Sequence, residues 1–98
     1  MQVKILAGAE NDLEEGYLFY EQQSPGLGAY FLDSLYSDID SLAFFGGIHH
    51  VAFGYHRLIA KRFPFAVYYR IIEEAVLVMA VLDCRSNPSW IRERLTQN

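Results

Sequence analysis

One cysteine, Cys84, occurs in the 98 residues, so no disulfide can form within the chain and a hydrophobic core has to hold the fold. No apolar run approaches the ~20 residues of a membrane helix, because Arg70, Glu73, Glu74, Asp83 and Arg85 interrupt the richest stretch. The N-terminus lacks a basic region followed by an apolar segment and a cleavage site, which together with the lone cysteine predicts a cytoplasmic protein. Basic residues are scarce in one half. Residues 1–54 hold one lysine against eight carboxylates, whereas residues 55–98 hold seven Lys/Arg against four. The net charge of −4 argues against a general, charge-driven nucleic-acid binder, and the division directs any anionic partner to the C-terminal half. There is no glycine-rich phosphate loop, no Ser/His/Asp order and no carboxylate pair set for acid–base work. His49-His50 has no third His or Cys at a ligand spacing, so neither a metal nor any other cofactor is expected.

What is present is apolar material, 52% of the residues with 15% aromatic, enough for the core of one domain spanning residues 1–98. Val3-Lys4-Ile5-Leu6 reads as a short strand ended by Gly8. Leu13, Tyr17 and Tyr20 recur at helical spacing over residues 9–22, with Asp12, Glu14 and Glu15 placed as a solvated face near the helix start. Ser24-Pro25-Gly26 breaks this helix. A second runs over residues 27–44 with Phe31, Leu35, Ile39 and Leu42 inward and Asp33, Ser37, Asp38 and Asp40 off the stripe, so an antiparallel helical hairpin is predicted. Residues 45–50 lose periodicity and read as a loop. Residues 55–62, 65–72 and 75–83 are β-rich and form a meander, with Glu73-Glu74 as a tight turn; residues 89–95 make a final helix capped by Ser89. The predicted class is α+β: an N-terminal strand, a helical hairpin, an antiparallel three-stranded meander and a short C-terminal helix, with the second sheet face at least partly free.

Four blocks of residues resemble the RelE/ParE toxin superfamily, closer to its ParE-like branch. They are Asp12-Leu13-Glu14-Glu15-Gly16-Tyr17 with Phe19-Tyr20-Glu21; Pro25-Gly26-Leu27-Gly28 with Phe31-Leu32; Lys61-Arg62-Phe63-Pro64-Phe65 with Val67-Tyr68-Tyr69-Arg70; and Ala80-Val81-Leu82-Asp83-Cys84-Arg85 with Asn87-Pro88. Residues 45–54 depart from the pattern, being more apolar and glycine-rich. The resemblance implies a RelE/ParE-like fold and the toxin of a type II toxin–antitoxin module, of the plasmid-stabilisation kind, neutralised by a cognate antitoxin. ParE-like members poison DNA gyrase by protein–protein contact. RelE-like members cut messenger RNA on the ribosome with basic and aromatic residues. A third reading is a decayed toxin that keeps only antitoxin binding.

A metal-free nuclease needs cations to stabilise the charged transition state and a group to move protons. Arg57, Lys61 and Arg85 are the candidates if the chain is an endoribonuclease. An arginine of the RelE-like pattern aligns with Ala66, so the central cation is missing, and the indole of Trp90 cannot act as acid or base. The candidate partner-binding residues are therefore Arg57, Lys61, Arg62, Arg70, Arg85, Trp90, Phe45 and Phe53. Each has a plainer reading: Lys61-Arg62 as a solvated hairpin tip, Arg85 as an ion pair, Trp90 as packing, and Arg70 paired with Glu21 or Asp83 or facing the open side of the sheet. Phe45, Ile48, Val51 and Phe53 lie in a segment too irregular to bury them by periodicity. They either fold over the end of the sheet or contact an antitoxin or a second copy, giving a homodimer or a toxin–antitoxin hetero-oligomer.

Overall fold

The computed structural model describes residues 1–97. Its sheet has five strands in the order β1-β5-β4-β3-β2: β1 (Gln2–Ile5), β5 (Ala75–Asp83), β4 (Phe65–Ile72), β3 (Tyr55–Ile59) and β2 (Val51–Ala52). The meander is present, and β4 and β5 fall where their β-branched runs predict. The antiparallel meander is extended by the N-terminal strand, and β1 runs parallel to β5 in the register Val3↔Val76 and Ile5↔Val78. The chain leaves β1 into the helices, re-enters at the far edge as β2, and three reversals bring β5 back beside β1 in the same direction. β2 was not anticipated, since two residues carry no readable alternation. β3 stops three residues early. Pro64 has no donor, and the Lys61 N–H turns away to Asp38 Oδ2 at 3.1 Å.

The helices α1 (Ala7–Gln23) and α2 (Leu27–Asp40) form the expected hairpin over one face, burying Leu13, Phe31, Leu35 and Ile39 against Val67, Tyr69, Val76 and Val78. They cross closely: a Cβ at Gly16 would lie 2.5 Å from the Phe31 ring, so only glycine allows this approach. Glu21 joins the pair, its carboxylate accepting from Gly26 N–H at 3.1 Å and Gly28 N–H at 2.9 Å at the start of α2. The second helix ends four residues before its predicted limit. Ser41 interrupts it, donating its hydroxyl to Asp38 O at 2.6 Å, and a single further turn follows as α3 (Leu42–Phe45).

Asp12 and Asp38 are buried, at 6% and 5% exposure, where the sequence placed them on solvated faces. Each answers a backbone donor that the sheet leaves unmet. Tyr68 pairs with Ala80 but Tyr69 with Val78, so Met79 is an extra residue bulged out of β5. The bulge lets both Val78 and Val81 face the helices. β1 reaches only Val78, and Asp12 Oδ2 takes the Val81 N–H at 2.9 Å.

On the other sheet face, α4 (Pro88–Thr96) lays Ile91 and Leu95 over Tyr55, Ala66, Tyr68, Ala80 and Leu82. This face is covered at one end and open at the other. Asn87, rather than Ser89, caps α4: its side-chain oxygen accepts from Ser89 N–H at 2.8 Å, with Pro88 at the first helical position. Arg94 reaches back across the sheet edge to Asp12 at 2.7 and 2.8 Å. Among the described residues no helix is long and apolar enough to cross a membrane.

Candidate partner-binding face

Strand alternation puts Tyr55, Arg57, Tyr68 and Arg70 on the α4 side of the sheet, because their neighbours Val67 and Tyr69 belong to the opposite core. Arg70 faces this open side and pairs with neither predicted carboxylate. Its guanidinium carbon stacks 4.2 Å from the centroid of the Tyr55 ring, whose hydroxyl donates to Leu95 O at 2.9 Å. Arg92 lies over Phe53 at 5.6 Å. Arg57, opposite Tyr68, borders a cavity of about 150 Å³ with Phe53, Tyr68, Cys84, Ser86, Pro88 and Ile91. Burial pushes the Tyr68 hydroxyl pKa up, with Arg57 pulling it down. Burial likewise raises the Cys84 thiol pKa against the pull of Arg57.

The remaining candidate cations, Lys61, Arg62 and Arg85, sit at the end of the sheet where β3 turns into β4. Lys61 and Arg62 are exposed on that turn. Arg85 is exposed and held by Asp83 through Nε–Oδ1 at 3.0 Å and Nη2–Oδ2 at 2.7 Å, the ion pair of its plainer reading. That bond holds the Asp83 carboxyl below its ordinary range and raises the guanidinium further. Burial raises the Tyr20 hydroxyl, and Arg85 beside it opposes the rise. Arg85 thus lies against Tyr20 of the hairpin core, while Arg57 lies against Tyr68 on the other side of the sheet. The three nuclease candidates Arg57, Lys61 and Arg85 are not brought to one point. Ala66, aligned with the missing arginine, is fully buried beneath α4.

Trp90 is 47% exposed, so α4 docks through Ile91 and Leu95 and leaves the indole on a groove of about 190 Å³ shared with Phe19, Glu15 and Asp83. Phe45 and Phe53 are open to solvent as well, and Phe44, placed inside α2 by its sequence, is the most exposed of all. Sequence reading missed two features. A wider groove of about 590 Å³ runs between α1 and α2, bordered by Glu10, Glu14, Tyr17 and Tyr36. It carries no cation, and the arginines that could meet an acidic partner lie on the opposite side of the molecule. The other feature is a hub on Tyr69, whose hydroxyl oxygen accepts from Gly47 N–H at 2.9 Å and meets His49 Nδ1 at 2.5 Å. Burial lowers the His49 pKa, which favours the neutral ring, and a neutral ring with its proton on Nε2 lets Nδ1 accept the Tyr69 hydroxyl proton. His56 stacks on the Tyr69 ring at 5.0 Å and bonds His49 O through Nδ1 at 2.9 Å. A His-His pair in an apolar loop, 20 residues ahead of Tyr69 in β4, gave no signal of this hub beyond the unused metal reading.

No protein-family model and no curated protein is significantly similar in sequence to this chain. Among solved structures, a chain of the "Chromosomal ParDE TA system from P. aeruginosa" is similar with a TM-score of 0.72 at 20% identity, over 83% of this chain and 92% of that chain. The RelE/ParE-like fold that the sequence blocks resemble is the fold the chain has.

Proposed function

We propose that the chain is the toxin of a type II toxin–antitoxin module, ParE-like, that inhibits DNA gyrase in the cytoplasm by protein–protein contact and is neutralised by a cognate antitoxin. The observation that carries this reading is the fold shared, at a TM-score of 0.72, with a chain of a ParDE system. The cation arrangement supports the ParE-like branch over a ribosome-dependent nuclease: Ala66 supplies no charge, Arg85 is engaged by Asp83, and Arg57 and Arg85 lie on opposite sides of the sheet. Arg57 and Arg70 on the open sheet face, with Arg62 and Arg85 at its end, suit an antitoxin segment rich in Leu and Glu that lies across the sheet and wraps the hairpin. Co-expression with the product of an adjacent small reading frame tests this. The two proteins co-purify, and charge reversal at Arg57, Arg62, Arg70 and Arg85 lowers affinity about 10- to 100-fold. Unchanged affinity in a folded variant refutes the electrostatic part, and no neutralising partner refutes the module.

A further inference from the structure

A continuous row of aromatic side chains joins α4, α1, the β3–β4 turn and α2. Trp90 and Phe19 border one groove of about 190 Å³ together with Phe65 and Val81. From Phe19 the row continues by ring contact to Tyr20 at 5.1 Å, from Tyr20 to Phe63 at 4.8 Å, and from Phe63 to Tyr30 at 5.5 Å. Tyr20 is buried and Phe63 half-buried, but Trp90, Phe19 and Tyr30 are 47%, 52% and 49% exposed. Half of three such side chains is on the order of 300 Å² of open aromatic surface, the size at which a patch on a monomer is often functional.

Cations lie along the same row. Lys61 and Arg62 precede Phe63 on the exposed turn, and Arg85 lies beside Tyr20. Among the described residues Lys61 and Arg62 enter no ion pair. The nearby carboxylates are already engaged: Asp83 by Arg85, Asp38 by Lys61 N–H, and Glu21 by Gly26 and Gly28 N–H. Glu15 borders the groove at the Trp90 end, so an apolar side chain suits that end and carboxylates suit the Phe63 end. The row does not suit a run of bases. Successive rings are turned by 80°, 61° and 58° to one another and offer no shared plane for stacking, and the chain carries a net charge of −4. Aromatic and arginine side chains around a small apolar groove are instead the composition of a protein interface core.

We infer that this row is the docking surface for an acidic segment of a partner protein. One large apolar side chain of that segment enters the groove that Phe19 and Trp90 border, and its carboxylates meet Lys61 and Arg62. The surface rests on these contacts alone and stands whether or not the partner is an antitoxin.

Trp90 is the only tryptophan of the chain, so its fluorescence reports on the groove directly. The test is a titration of the full chain, at low salt, with the acetylated and amidated peptide Glu-Glu-Leu-Phe-Glu-Glu. Wild type binds it with a Kd below about 1 mM, and binds the peptide with Lys in place of each Glu at least ~10-fold more weakly. Phe19→Ser and Tyr30→Ser, both at exposed positions, each weaken the acidic peptide at least ~5-fold with circular dichroism unchanged. Lys61→Glu with Arg62→Glu, also exposed, reverses the preference, so that the lysine peptide binds the tighter. Should either serine variant unfold, this charge reversal alone decides. Equal binding of the two peptides by wild type, folded serine variants that titrate like wild type, or a preference that survives the charge reversal overturns the proposal. A single-stranded oligothymidylate that displaces the acidic peptide gives the row to nucleic acid and overturns it as well.

Discussion

Replacing Arg94 by methionine removes the partner of a carboxylate that the fold cannot easily do without. Asp12 has a side chain only 5% exposed, and Arg94, at 23%, meets both of its oxygens at 2.7 and 2.8 Å. Breaking a fully buried pair from one side costs about 3–5 kcal/mol. The partial exposure of Arg94 lets water take over some of its role, so about 2–3 kcal/mol is expected at pH 7, a large share of the ~5–10 kcal/mol of a domain this size. The pH dependence gives the argument its sign. Burial raises the Asp12 pKa above its ordinary 3.8, while the hydrogen bond and charge of Arg94 hold that rise in check. A carboxyl with a raised folded pKa costs stability as pH climbs through 3.8 toward that value, because the native state binds the proton more tightly than the unfolded chain. Without Arg94 the folded value climbs further, so the deficit of Arg94→Met is largest at neutral pH and shrinks as pH falls toward 3.8. Urea midpoints for wild type and variant across that range measure it. In Asp12→Asn, which keeps an acceptor for Val81 N–H, the same Arg94→Met change costs much less. A deficit independent of pH, or one that is just as large when Asp12→Asn is already in place, refutes the account of Asp12 as a carboxylate held charged by Arg94.

Three further outcomes follow from single features. Glu73 and Glu74 take φ of 51° and 63°, the left-handed region of a type I′ turn, so Glu73→Asn with Glu74→Gly raises stability by about 1 kcal/mol in urea denaturation; no gain means the turn is not strained. Ser34 Oγ is buried without a partner, and Ser34→Ala therefore raises the melting temperature by several degrees, where a loss would reveal a hidden bond. Burial, helped by the nearby His56, lowers the His49 pKa below 6.5. Protonated His49 must donate to Tyr69 Oη, which leaves the hydroxyl proton without an acceptor, so this contribution is full above pH 6.5 and is lost as pH falls below it. Wild type loses more stability between about pH 7.5 and 5.5 than His49→Phe does; equal losses refute the hub.

The long periodic elements were legible because burial writes itself into sequence spacing: Leu13 and Tyr20 on one helix, Phe31, Leu35 and Ile39 on the other, and the unbroken β-branched runs of β4 and β5 all lie where their patterns put them. What escaped depends on partners distant in sequence. Asp12 reads as a helix-start carboxylate until a bulge at Met79 and a short β1 leave Val81 N–H to be met. Asp38 likewise answers Lys61, 23 residues on. Local chemistry fixed the cap at Asn87, where Pro88 at the first turn was the overlooked signal. Of the candidate site residues, exposure and charge were anticipated for Lys61, Arg62 and Arg85, but which sheet face each cation shares with which neighbour rests on registers that composition does not encode.

The most direct test of the central claim adds purified chain to DNA gyrase, relaxed plasmid and ATP, with messenger RNA on translating ribosomes as the parallel arm. The ParE-like account predicts loss of supercoiling in proportion to added chain, restored by the antitoxin, with transcripts intact. Undiminished supercoiling alongside cleaved transcripts would contradict it and move the function to Arg57, Lys61 and Arg85 as a nuclease.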